Sequence, residues 1–114
     1  MCLLNKYNCI FFLAAGIFIP HGVYGNSQIG ILEIENTVIS VELARTKKEH
    51  ARGLMHRKSL GKYDGMLFIY AYKNILCMWM KNTYIPLTVL FIDERGYVLE
   101  MQDMIPNTET PHCS

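Results

Sequence analysis

Trp79-Met80-Lys81-Asn82-Thr83 is the densest run of aromatic and polar side chains in this sequence. On a strand, Trp79 and Lys81 share one face, and Met78 and Met80 share the other. Lys81 and Asn82 placed at a cleft would hold an anionic or carbonyl group against the Trp79 ring. The structural alternative buries Trp79 in the core, gives Asn82 an Asx-type turn and leaves Lys81 solvated at a strand end. Arg52 is the second candidate, because a guanidinium offers a rigid fork to a carboxylate or phosphate. A cation in the last turn of a helix also satisfies the helix dipole. The expected site is a shallow cleft near Arg52, Trp79, Lys81 and Asn82.

Other chemistry is thinner. Met55, Met66, Met78, Met80, Met101 and Met104, with His50, His56, His112, Cys77 and Cys113, would suit a soft cation such as Cu(I). No Met-x-x-Met, Cys-x-x-Cys or His-x-His spacing concentrates them, and thioethers also fill irregular small cores. No metal site or cofactor is therefore expected. The chain has no Gly-x-Ser-x-Gly elbow, His-Glu-x-x-His helix or phosphate-cradling glycine loop, and its carboxylates are scattered. No catalytic residue is assigned.

Eleven basic and ten acidic side chains leave a net charge of +1. That balance argues against nucleic acid, whose binders concentrate Lys and Arg on one face. Lys6 is the only charged residue before Glu33, and Ile10 to Ile19 is almost unbroken apolar sequence, followed by Pro20, Gly22 and Gly25. A short positive region, an apolar stretch of about ten residues and a small-residue exit read as a signal peptide over 1–25. The protein is then exported, to the periplasm or the medium. An uncleaved anchor is the lesser reading, and the run is short for one. Cys77 and Cys113 remain after cleavage. Outside the cytoplasm they can pair, and closing the loop between them is worth on the order of 4 kcal/mol. The alternative is one buried thiol and one loose one.

These groups need a scaffold, and alternation supplies it. Ile29 to Ile34 reads as a strand, and Glu35-Asn36 as a turn. Thr37 to Leu43 is a half-buried strand, with Ile39, Val41 and Leu43 on one face. Thr46 and Glu49 form a capping box opening a brief helix that shows Ala51 and Leu54 to the core and ends at Gly53. Further strands are expected at Met66 to Tyr70, Leu76 to Met80, Val89 to Asp93 and Tyr97 to Met104, the last two joined by Glu94-Arg95-Gly96. Short strands, frequent turns and one short helix describe a mainly β domain over 26–114, a sandwich or partly open barrel.

Four blocks in register carry a family resemblance: Arg52-Gly53-Leu54-Met55, Gly65-Met66-Leu67-Phe68, Trp79-Met80-Lys81-Asn82-Thr83, and Pro86-Leu87 ahead of Phe91-Ile92-Asp93. Together they resemble the bacterial and archaeal domain-of-unknown-function 192 family, also called uncharacterised protein family 0127, over roughly residues 30 to 113. The resemblance implies a compact, jelly-roll-like β domain, commonly exported, without an agreed activity. Where that family usually has an acid after Pro-Leu, this chain has Thr88. The family pattern also continues for some tens of residues past Thr110-Pro111-His112-Cys113, so the chain reads as incomplete at its C-terminal end. A missing partner strand there would leave a sheet edge unpaired.

The expected function is an envelope binding module for a small anionic molecule, a glycan or an envelope protein, touching membrane only through an uncleaved leader. An envelope hydrolase or carbohydrate-active enzyme on the same scaffold, a copper-binding protein and a truncated remnant without function are the alternatives.

Overall fold

Alternating apolar positions assemble a six-stranded sheet in a computed structural model that describes residues 2–5, 29–34 and 36–114. The strands are β1 (Cys2–Asn5), β2 (Ile29–Ile34), β3 (Thr37–Ala44), β4 (Gly65–Phe68), β6 (Leu87–Ile92) and β7 (Val98–Met104), in spatial order β2-β3-β4-β1-β6-β7. Neighbours are antiparallel except β3 and β4, which run parallel. A separate two-stranded sheet joins β5 (Cys77–Met78) to β8 (His112–Cys113). With the single helix among the described residues, α1 (Lys47–Arg52), the fold is mainly β, and its sheets do not close into a barrel. Of the leader expected over 1–25, only Cys2–Asn5 are described; the remainder, like Glu35 of the expected turn, lies outside the described residues.

Both faces of the large sheet are apolar. One carries Met66, Phe68, Leu87, Val89 and Phe91, which pack with Ala44, Leu54, Leu60, Met80, Ile85 and Met104. On the other, Leu32, Val41, Leu67 and Leu90 are buried, with Ile34, Ile39, Leu43, Ile69 and Ile92 packed against them. Each strand can serve both clusters because successive side chains point to opposite faces. Thus Leu87, Val89 and Phe91 enter the first cluster and Leu90 the second.

The helix starts with the expected capping box and stops at the expected glycine, but that glycine does not take the left-handed conformation expected of it. Glu49 N–H donates to the Thr46 hydroxyl, and the Glu49 carboxylate accepts from the backbone of Arg45 and Thr46 at 2.7 and 2.9 Å. Gly53 ends it at φ +48 and ψ −129, positive but outside the left-handed helical region. Leu54 is buried, whereas Ala51 is exposed, a correction to its expected core role. So short a helix meets the core mainly through the residue after its cap. The β6–β7 hairpin turns with Gly96 at φ +87, and Asp93 Oδ1 accepts from the backbone of Arg95 and Tyr97, each at 2.9 Å.

Candidate functional site

The end of α1 and the segment around β5 face each other across a cleft of about 240 Å³. Its floor is apolar: Phe68, Met80 and Leu87 each keep no more than 1% of their surface exposed. Gly53 brings the helix exit close to that floor, since a Cβ there would lie 3.2 Å from the Phe68 ring. The preceding residue, Arg52, is exposed at the rim. Among the described residues, no hydrogen bond or ion pair engages its guanidinium.

His50 and Tyr70 complete this wall. Their ring centroids are 4.3 Å apart, and His50 lies 5.9 Å from Phe68. His50 Nε2 is 2.9 Å from the Ala44 carbonyl oxygen. A carbonyl only accepts, so this contact assigns the proton to Nε2 and leaves Nδ1 as an acceptor in the neutral ring. Partial burial pushes the Tyr70 hydroxyl above the usual phenol range.

The opposite wall is Cys77, Met78 and Trp79. Cys77 is joined to Cys113 by a disulfide that ties β5 to β8. The Ser114 amide donates to the Leu76 carbonyl at 3.0 Å, continuing the attachment.

The structure divides the four expected site residues into two pairs. Arg52 and Trp79 line the cleft, but Lys81 and Asn82 are not among its lining residues. Trp79 is 47% exposed, which corrects the alternative that buried it in the core; Met80, on the opposite face, takes the core position at 1%. Lys81 Nζ sits 5.2 Å from the Trp79 ring centroid and 3.6 Å from Glu109 Oε1, so the cation is already engaged. Asn82 takes a positive φ of +51, and its carbonyl accepts from the His56 amide at 2.8 Å. Its role is a turn.

Sequence reasoning did not single out His50, Tyr70 or Met55 for the cleft. The first two come together because α1 lies beside the exit of β4, a tertiary placement with no local signature. Among the described residues, no group of three His, Cys, Asp or Glu side chains is placed to hold a metal ion.

A family model described as DUF192, "Uncharacterized ACR", matches residues 30–114. No curated protein matches the chain. Two solved structures are similar to it. A candidate transcription regulator from Sinorhizobium meliloti 1021 is 30% identical with a TM-score of 0.67, over 83% of this chain and 76% of that one. A protein of unknown function from Novosphingobium aromaticivorans DSM 12444 is 31% identical with a TM-score of 0.65, over 89% and 74%.

Proposed function

The chain belongs to the DUF192 family, and from that premise we propose that it is an exported envelope binding module, with a jelly-roll-like frame, whose cleft receives a small anion carrying an apolar or aromatic body. The observation that carries this reading is the pairing of an Arg52 guanidinium, which no described residue engages by hydrogen bond or ion pair, with a floor of Phe68, Met80 and Leu87. A guanidinium fork recognises carboxylate or phosphate, and the apolar floor and the Trp79 ring take the rest of the molecule. Lys81 acts at one remove, through the face of Trp79. A leader over 1–25 would deliver the protein to the periplasm or the medium. One neighbour's description as a candidate transcription regulator does not extend to nucleic acid here, because a net charge of +1 offers little to a polyanion.

Trp79 is the single tryptophan of the chain, so its fluorescence reports on the cleft directly. Titration with benzoate and with inorganic phosphate should shift its emission saturably, benzoate at lower concentration. Arg52→Ala should abolish the response while the thermal melt is retained. An unchanged response in Arg52→Ala, or none to either probe in the unmodified protein, refutes the anion-binding cleft. Mass measurement of the protein recovered from the envelope tests cleavage after Gly25.

A further inference from the structure

In the large sheet β1 lies between β2-β3-β4 and β6-β7, and among the described residues it is the strand whose ladder links the two halves. Cys2, Leu3 and Leu4 pair with Leu67, Met66 and Gly65 on one side. Cys2, Leu3, Leu4 and Asn5 pair with Leu90, Val89, Thr88 and Leu87 on the other. Both pairings are antiparallel. The outer sides of β4 and β6 are already taken by β3 and β7. What lies between them is a slot two ladder spacings across, about 10 Å, which admits one extended chain and no more.

The slot specifies its occupant closely. Each neighbour presents a row of amides and carbonyls, so the occupant must be an extended backbone bonding on both sides. Neither β4 (Gly-Met-Leu-Phe) nor β6 (Leu-Thr-Val-Leu-Phe-Ile) contains a charged residue. The side chains beside the slot are buried on both faces: Met66 and Val89 in one core cluster, Leu67 and Leu90 in the other. An occupant therefore needs apolar residues at consecutive positions, where an ordinary edge strand would alternate apolar with polar. Cys-Leu-Leu is such a run.

We propose that the space between β4 and β6 is an acceptor for an extended, uncharged, apolar peptide strand, filled in cis by Cys2–Asn5 and able to take the same kind of segment in trans. This is strand addition with both sides of the added strand hydrogen-bonded. It stands independently of the cleft. Cleavage after Gly25 would remove the cis strand and leave the acceptor to a segment from elsewhere.

The full chain carrying Leu3→Pro tests this, because proline between two paired neighbours removes a ladder hydrogen bond whichever side its amide faced. The variant should melt about 10 °C below the unmodified chain, or lose its cooperative transition. A synthetic peptide of residues 1–7 with Cys2→Ser, added in excess, should bind saturably and restore the melt. The same peptide with Leu4→Lys should not. If Leu3→Pro does not fold alone, it is refolded from denaturant with and without the peptide, and recovery only with the peptide supports the acceptor. A melt identical to that of the unmodified chain, or no rescue by the peptide in either format, overturns it.

Discussion

Thr88 and Asp103 face each other across the β6–β7 ladder, and the Thr88 hydroxyl donates to Asp103 Oδ1 at 2.6 Å. Thr88 is 3% exposed, so this bond satisfies a buried hydroxyl that would otherwise cost free energy. It also stands at the position where the resembling family usually has an acid. An acid here would sit directly opposite a second carboxylate.

Thr88→Val should therefore lower stability by about 1–2 kcal/mol, the loss of one hydrogen bond to a charged group. Thr88→Asp should cost more, because it buries a charge beside a like charge. Adding Asp103→Asn to Thr88→Asp should recover part of that loss. Urea unfolding of the unmodified chain, Thr88→Asp, Asp103→Asn and the double variant closes a double-mutant cycle that measures the coupling. Independent, additive effects would mean that the two side chains do not interact.

The disulfide yields a second expectation. Cys77 and Cys113 are 36 positions apart and connect two-residue strands that have few other bonds to hold them. Replacing both with serine should cost about 2–4 kcal/mol, from the larger conformational entropy of the open chain when unfolded. Unmodified protein in excess dithiothreitol should melt with the double variant. If reductant leaves the midpoint where it was, the link contributes nothing to stability.

Much of this architecture could be read from alternation and turn chemistry. The β3 strand, the Thr46–Glu49 capping box and the Gly96 hairpin rest on neighbours within a few residues, so local sequence specifies them. The segment from Leu76 to Met80 could not be read in this way. Only Cys77 and Met78 form a strand, because beyond them the backbone bonds elsewhere: the Met80 amide donates to the Thr108 carbonyl at 3.0 Å, and the Asn107 amide to the Thr83 carbonyl at 3.0 Å. Partners some 25 residues away leave no periodic trace. Trp79 therefore ends at the rim of the cleft while Met80 fills the core. The same limit applies to the site: Arg52 and Trp79 could be picked by type, but His50 and Tyr70 meet only through packing.

Acid should loosen two local structures together. Backbone donors hold two carboxylates below their ordinary range: Arg45 and then Thr46 for Glu49, Tyr97 and then Arg95 for Asp93. A carboxylate depressed in the folded state contributes stability above its unfolded pKa, near 4, and that contribution is lost as pH falls through the lower folded value. Melting temperature should thus decline from about pH 5 downward. Asp93→Asn and Glu49→Gln should each flatten part of that decline, because the amides do not titrate. Parallel pH profiles for all three proteins would show that neither carboxylate is linked to folding.

The last prediction concerns the turn that carries Arg52 to the cleft. Gly53 has φ +48, which any L side chain resists, and an added Cβ would lie 3.2 Å from the Phe68 Cζ atom. Phe68 is buried in the main core cluster and has little room to yield. Gly61 is a crowding-free reference: its φ is +63, and a Cβ there would meet nothing within 4 Å. Gly61→Ala should cost only the backbone term, about 1 kcal/mol. Gly53→Ala should exceed it by about 1 kcal/mol or more, from a ψ of −129 outside the left-handed helical region together with crowding in a packed core. Trimming the obstacle in the pair Phe68→Leu and Gly53→Ala should bring the extra cost of the alanine down toward that at Gly61. Urea unfolding of these variants separates backbone strain from side-chain crowding. Equal costs at the two glycines would show that close approach to Phe68 does not constrain the helix exit, and that backbone conformation alone selects glycine there.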